Sequence, residues 1–451
     1  MVLAACSPGD PSADGYLEPA TVSTTIPDEE ITLTLSYVSD PAMLTLIDSF
    51  EAKHPNITIE HTQTALAEYT DTITATMTND SAPDIVQFFP GVMRTLVPSG
   101  LIFDLQPYAT AYDWGENFPP SSLGAFTLNQ SGKRLNSGQL YALPAAQSVT
   151  GVFYNKKLLQ QAGATAPPKT LKQFSQAMSK VQQAGMQPLS VGGLGGGSVQ
   201  LWNALASATS DTGELNDWVF GMPESTIRTD GPRHAAQRVV DWADAEYLSP
   251  KVTSVTDEDA RSTFTSGHSA FLLANSRHVA QLSESMGKNV GFLLLPPAGS
   301  GAAAVAPTTA AAYAVSSHTD HPDAAAAFLN FLTSSEAAQI QADEGLLPIN
   351  TQADVSHEGV AADVAGEYHE ALDGAGVTAS SAYATPSMRG VLRASMQELM
   401  SGTLNVDNFL ETVQTEWKNY QEGPGARAAQ APAGGVGPPL VPDNGGPAEK
   451  V

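Results

Sequence analysis

Ile31-Thr32-Leu33-Thr34-Leu35-Ser36-Tyr37 alternates apolar and polar positions with a period of two, the pattern of a half-buried strand. Met43, Leu46, Ile47 and Phe50 then recur at helical spacing until His54-Pro55, where the proline ring ends the helix. Ile57 to His61 reads as a second strand, and Leu66, Tyr69, Ile73 and Met77 mark a second helix. Asp84-Ile85-Val86-Gln87-Phe88-Phe89 reads as a third strand. Strand, helix, strand, helix, strand predicts a parallel sheet with right-handed crossovers. Thr170-Leu171-Lys172-Gln173 is a capping box that opens a helix with Leu171, Phe174, Met178 and Val181 on its apolar face, ending at Gly185. Ser269 to Leu273, Val290 to Leu295 and Ala311 to Val315 are strand-like. From about 321 to 420 almost everything is helical, with Phe328, Leu329 and Leu332 on one face and Phe409, Val413 and Trp417 on another.

The patterning stops at both ends. Residues 7 to 30 carry six acidic groups, no basic ones and several prolines, too little apolar surface to offset chain entropy, and are expected to form a flexible tether. Residues 423 to 451 hold six prolines and seven glycines in 29 positions and are expected to be disordered. Of the 451 residues, about 390 are left for the folded body, enough for more than one domain.

Charge removes some partners. The chain has 21 basic and 47 acidic side chains, a net charge of −26, with only 15% of residues charged. Phosphate backbones are bound through Lys and Arg that displace counterions, so nucleic acid is not expected as a partner. Five of the eleven lysines fall between Lys156 and Lys180, a solvated face that could also dock a partner. The single cysteine excludes an internal disulfide and a multi-thiolate metal site. Leu3-Ala4-Ala5-Cys6 resembles the lipobox of bacterial lipoproteins, in which the Cys sulfur takes a diacylglycerol. That resemblance implies a lipid anchor at Cys6, with residues 1–30 as lipobox and tether, on the extracellular face of the cell membrane. Only five residues precede Cys6, fewer than the apolar stretch of about 7 to 15 in a signal peptide, so the start is read as trimmed or misassigned. No run of about 18 apolar residues marks a transmembrane helix.

Several segments, in order, resemble the carbohydrate-type extracellular solute-binding proteins of ABC importers, the cluster that includes maltodextrin-binding proteins. The clearest is Gly138-Gln139-Leu140-Tyr141-Ala142-Leu143-Pro144 followed by Phe153-Tyr154-Asn155-Lys156-Lys157-Leu158-Leu159. Pro167-Pro168-Lys169-Thr170-Leu171 is similar to the family's "PPKTW" helix start, with Leu in place of Trp. Ala82-Pro83-Asp84-Ile85, Gly100-Leu101-Ile102-Phe103-Asp104-Leu105, the stretch Phe264 to Phe271, and Gly345-Leu346-Leu347-Pro348 extend the likeness. It implies an α/β, two-lobed periplasmic-binding-protein-like fold, each lobe a mostly parallel sheet flanked by helices, with a hinge between lobes. The lobes are placed at 31–148 plus 296–345 and at 149–295 plus 346–422, with crossings near Gln147, Pro296 and Gly345. The implied function is a monomeric substrate-binding lipoprotein that captures a carbohydrate or sugar-like polyol and delivers it to an ABC permease, with no cofactor and no metal.

Sugars offer paired hydroxyls and an apolar ring face, so a site needs amides or carboxylates and aromatic plates, placed at strand ends. Tyr37 and Asp40 follow the first strand, and Gln87, Phe88 and Phe89 end the third. On a strand only one of Phe88 and Phe89 can face the cleft, and Asp40 before Pro41 could equally cap a helix. Gln147 lies at the presumed crossing, and Trp202 and Asn203 follow the loop Gly192-Gly193-Leu194-Gly195-Gly196-Gly197. Asn275, Ser276 and Arg277 follow a strand; Arg277 suits either a surface ion pair or an anionic group on the ligand. The resemblance adds Tyr313, although the family's preceding glycine-rich run is alanine-rich here.

Enzymatic readings are weaker. Gly267-His268-Ser269-Ala270-Phe271 lacks the second glycine of a serine-hydrolase elbow and precedes a strand. The glycine run 192–197 lacks the Lys-Ser/Thr ending of a phosphate loop and reads as a mobile loop. His318 and His321 have no third ligand in view. A glycosidase, needing two facing carboxylates, and an adhesive surface lipoprotein remain as alternatives.

Overall fold

The computed structural model describes residues 22–423 apart from 39, 80, 119–122, 165–166, 300 and 351. Cys6 with its lipobox, the tether up to residue 21 and the tail from residue 424 lie outside the described residues. The alternation at the start becomes β1 (Ile31–Tyr37), with Ile31, Leu33, Leu35 and Tyr37 buried. It is followed by β2 (Ile57–Gln63), β3 (Ile85–Phe88), the short pair β4 (Thr127–Leu128) and β5 (Gln139–Leu140), and the long β6 (Leu143–Asn155). Then come β7 (Gln187–Ser190), β8 (Ser269–Asn275), β9 (Val290–Leu293), β10 (Ala306–Val315), β11 (Leu347–Pro348) and β12 (Val377–Ala379).

Two parallel groups, β2-β1-β3 and β8-β7, are joined through β10 and β6 in the order β2-β1-β3-β10-β6-β8-β7. The joining strands run antiparallel to their neighbours, which makes the whole sheet mixed. β6 has thirteen residues and changes partners midway. From Leu143 to Val149 it pairs with β10, and from Thr150 to Tyr154 with β8. β11 and β9 pair with its two halves as well. A bulge lies opposite Ala311/Ala312, where Pro144 cannot donate to the ladder.

The buried apolar side chains form two clusters. Phe153, Phe264, Leu272, Phe292 and Tyr368 belong to one cluster around β6, β8 and β9. The larger cluster runs from β1 through the helices of both lobes. Among these helices, Gly196–Thr209 sets Trp202 against Phe409, ring centroids 4.8 Å apart. The expected capping box is present: Thr170 Oγ1 accepts from Gln173 N, and Gln173 Oε1 accepts from Lys169 N.

One expectation changes. Residues 22–30, read as part of a flexible tether, lie along the body. Val22 and Ile26 pack on the core, Ser23 N donates to Asp323 Oδ1 at 3.1 Å, and Asn56 Nδ2 donates to Pro27 O and Glu29 O. After β9, Pro297 O accepts from Leu171 N and Ala298 N donates to Ala208 O, so this segment stays with the helices that follow β6.

Behind the hinge, Arg94 on the helix Pro90–Leu96 is buried and faces four backbone carbonyls. Nε donates to Tyr383 O, Nη1 to Gly132 O and Lys133 O, and Nη2 to Val219 O, at 2.6–3.2 Å. The Tyr420 ring lies 5.7 Å away, and burial lowers the guanidinium pKa to about 10. Arg94→Met is expected to lower stability by about 2–4 kcal/mol, because four carbonyls lose charge-assisted bonds at once. Urea unfolding checks this, and a change below about 0.5 kcal/mol would show that the carbonyls find water instead.

Candidate ligand-binding cleft

Where β3, β6 and β10 meet, Val38, Asp40 and Pro41 together with Arg277 line a cavity of about 50 Å³. That is room for about three or four waters and far below the hundreds of Å³ typical of ligand pockets, so this conformation is a narrow one. Its polar lining is Asp40, Gln87, Gln147, Ser148, Thr309 and Arg277, with Phe89 as the aromatic wall.

Asp40 is the most constrained of these groups. Its Oδ1 accepts from Ala42 N at 3.1 Å, an Asx turn ahead of the helix Met43–Lys53, and its Oδ2 accepts from the Tyr313 hydroxyl at 2.7 Å. Burial raises its pKa, against the opposing pull of these two bonds and of Arg277. Gln87 Oε1 accepts from Val38 N at 2.8 Å, and Gln147 Oε1 accepts from the Tyr368 hydroxyl at 3.1 Å. Both amides thus have their oxygens committed. Neither NH2 group has a hydrogen-bond partner among the described residues. Ser148 and Thr309, paired across β6 and β10, share a hydroxyl contact of 3.0 Å, and Asn275 Nδ2 donates to Thr309 Oγ1 at 3.2 Å.

Of the sequence candidates, Asp40, Gln87, Phe89, Gln147 and Arg277 line this cavity together. Tyr313 and Asn275 stand one step behind, reaching it through Asp40 and Thr309. Phe88 points the other way from Phe89 and is core, as strand alternation requires. Tyr37 is 1% exposed and belongs to the core. Trp202 is fully buried, with Nε1 on Ser381 Oγ, because it lies on the face of its helix that packs against the C-terminal helices. Asn203 bonds Ser380 Oγ and Ser381 N, and Ser276 Oγ accepts from Val149 N, so both hold backbone in place. Sequence reasoning missed Ser148 and Thr309. The available signal was a hydroxyl pair, Thr308-Thr309, inside an alanine-rich strand.

The glycine run expected to be mobile is instead a seat for a carboxylate. Gly196 N and Gly197 N, at the start of the helix Gly196–Thr209, donate to Asp257 Oδ2 and Oδ1 at 3.1 and 2.9 Å. A Cβ at Gly195 or Gly197 would stand 2.9 Å from the Asp257 oxygens, closer than packing allows. Gln397 Nε2 also donates to Gly193 O and Leu194 O.

A family model described as bacterial extracellular solute-binding protein matches residues 45–367. The chain belongs to this family. The fold of this solute-binding protein recurs in solved structures of low identity. A chitin oligosaccharide binding protein superposes with a TM-score of 0.73 at 21% identity, over 88% of this chain and 100% of the other. The GacH receptor of Streptomyces glaucescens, solved unliganded and with acarbose, gives 0.71 at 18%, over 87% and 99%. Lmo0181 of Listeria monocytogenes, in complex with cycloalternan, gives 0.69 at 17%, over 87% and 100%. No helix among the described residues is long and apolar enough to cross a membrane.

The raised pKa of Asp40 has a pH signature. Its folded value lies above the ordinary 3.8, so the folded state holds the proton more tightly and stability falls as pH rises through the window above 3.8. Asp40→Asn is expected to raise the thermal midpoint of the unliganded solute-binding protein at pH 7, and the gain should close as pH falls toward 3.8. Melting at a series of pH values checks this; a gain independent of pH would refute it.

Proposed function

We propose that the protein is the substrate-binding subunit of an ABC importer and captures a carbohydrate or sugar-like polyol between its lobes. The observation that carries this reading is the convergence of two free amide NH2 groups, a hydroxyl pair and a carboxylate beside Phe89, around β3, β6 and β10. Paired hydroxyls and an apolar ring face are what such a set recognises. The sugars named with the structural neighbours, chitin oligosaccharide, acarbose and cycloalternan, support the same class. No reaction is assigned to the site.

The narrow cavity fits a hinge mechanism in which the lobes separate to admit ligand and close upon it. Ligand favours the closed form only by its extra affinity for that form, and the permease reads closure. We place the first lobe at 31–148 plus about 306–345 and the second at 149–305 plus 346–422. Lys156, Lys157, Lys169, Lys172 and Lys180 are exposed on the second lobe, where they could meet the permease. The protein acts as a monomer on the extracellular face of the membrane, held by lipid on Cys6.

Thermal shift against a panel of sugars tests the binding reading, since a ligand at 100 times its Kd adds about 2.7 kcal/mol. Absence of stabilisation by any carbohydrate, glycerophosphodiester or related polyol would remove it. The anchor is tested separately: Cys6→Ala is expected to release the protein from the membrane fraction of expressing cells, and unchanged fractionation would refute lipid attachment.

A further inference from the structure

We propose that the ligand carries an anionic group, a carboxylate or phosphate on the sugar or polyol, and that Arg277 receives it. This rests on the sugar-binding reading and narrows its substrate class.

Arg277 occupies a turn that the structure holds firmly. Its backbone N donates to Asn275 Oδ1 at 3.0 Å, and Ser276 Oγ fixes the turn to Val149 N. The side chain lines the interlobe cavity and also a second cavity of about 30 Å³ lined by Asp257, Arg261 and His278. The residue keeps intermediate exposure, and desolvation is the leading influence on its guanidinium and lowers its pKa. It makes no hydrogen bond and no ion pair with any described residue. Its five donors line the cavity without a protein acceptor, whereas the buried Arg94 meets four carbonyls.

Nearby carboxylates do not fill the gap. Asp257 and Asp40 both act on Arg277 through space, yet neither forms an ion pair with it. Asp257 binds Gly196 and Gly197 with its two oxygens, and Asp40 binds Ala42 N and the Tyr313 hydroxyl. Three guanidiniums gather there, Arg277, Arg389 and Arg261, the last of which is paired with Glu258. Arg261 and Arg389 each act on Arg277 as like charges, and His278, buried beside Arg277 and Arg261, has its pKa pushed down to about 3 and stays neutral. In a chain of net charge −26, this is an unusual place to gather three guanidiniums. A neutral hydroxyl would satisfy donors and leave the charge. An anion satisfies both through charge-assisted, bidentate bonds about twice as strong as neutral ones. The ligand is then oriented, acid toward Arg277 and hydroxyls toward Asp40, Gln87 and Gln147.

Calorimetry on the full chain with matched pairs tests this: glucose against glucuronate, galactose against galacturonate, glycerol against glycerol 3-phosphate. At least one acid is expected to bind 50-fold or more tightly than its neutral partner. Arg277→Gln should bring that ratio to near one, while Arg277→Lys keeps part of it. Unliganded Arg277→Gln should melt at or above the parent temperature, which also reports that it folds. Neutral partners binding as tightly as the acids, or a ratio unchanged in Arg277→Gln, would overturn the inference and leave the sugar-binding reading standing. No binding by any pair, together with no stabilisation across the wider sugar panel, would remove both.

Discussion

The strand Leu143–Asn155 is hydrogen-bonded to one lobe over its first half and to the other over its second, and this double membership constrains everything around it. All its partners, β10, β11, β8 and β9, run antiparallel to it, and the parallel pairs are made by other strands. The strand also places Gln147 and Ser148 next to the change of partners, between Val149 and Thr150. The polar groups of the cleft therefore sit on the element least able to leave either lobe.

The side chains behind the cavity do as much as those that line it. Tyr313, Tyr368 and Asn275 are buried and hydrogen-bond to Asp40, Gln147 and Thr309, which fixes the direction of each lining group. By engaging the amide oxygens, Val38 N and the Tyr368 hydroxyl leave the two NH2 groups as the open valences. The result is a site richer in donors than in acceptors, apart from Asp40.

Much of the fold could be read from periodicity. The alternation Ile31–Tyr37, the helical spacing from Met43 to Phe50 and the Thr170 capping box report local preferences, and those were realised locally. Family-like segments carried the two-lobed arrangement further than periodicity alone. Asp40, Gln87, Gln147 and Arg277, picked out as polar residues near strand ends and the presumed crossing, do come together around one cavity. The site was not legible where distant chain decides. Trp202 is claimed by Phe409 and Ser381 from nearly two hundred residues away. The glycine run owes its order to Asp257, some sixty residues later, and no local rule contains that partner.

That carboxylate has a further consequence. The start of an α-helix, with its free N–H groups and positive dipole end, is a ready trap for small anions. Here the trap is already occupied by Asp257, and glycines leave the space its oxygens need. The occupant is covalently part of the chain, so a free anion such as phosphate or sulfate would have to displace a carboxylate held at high local concentration.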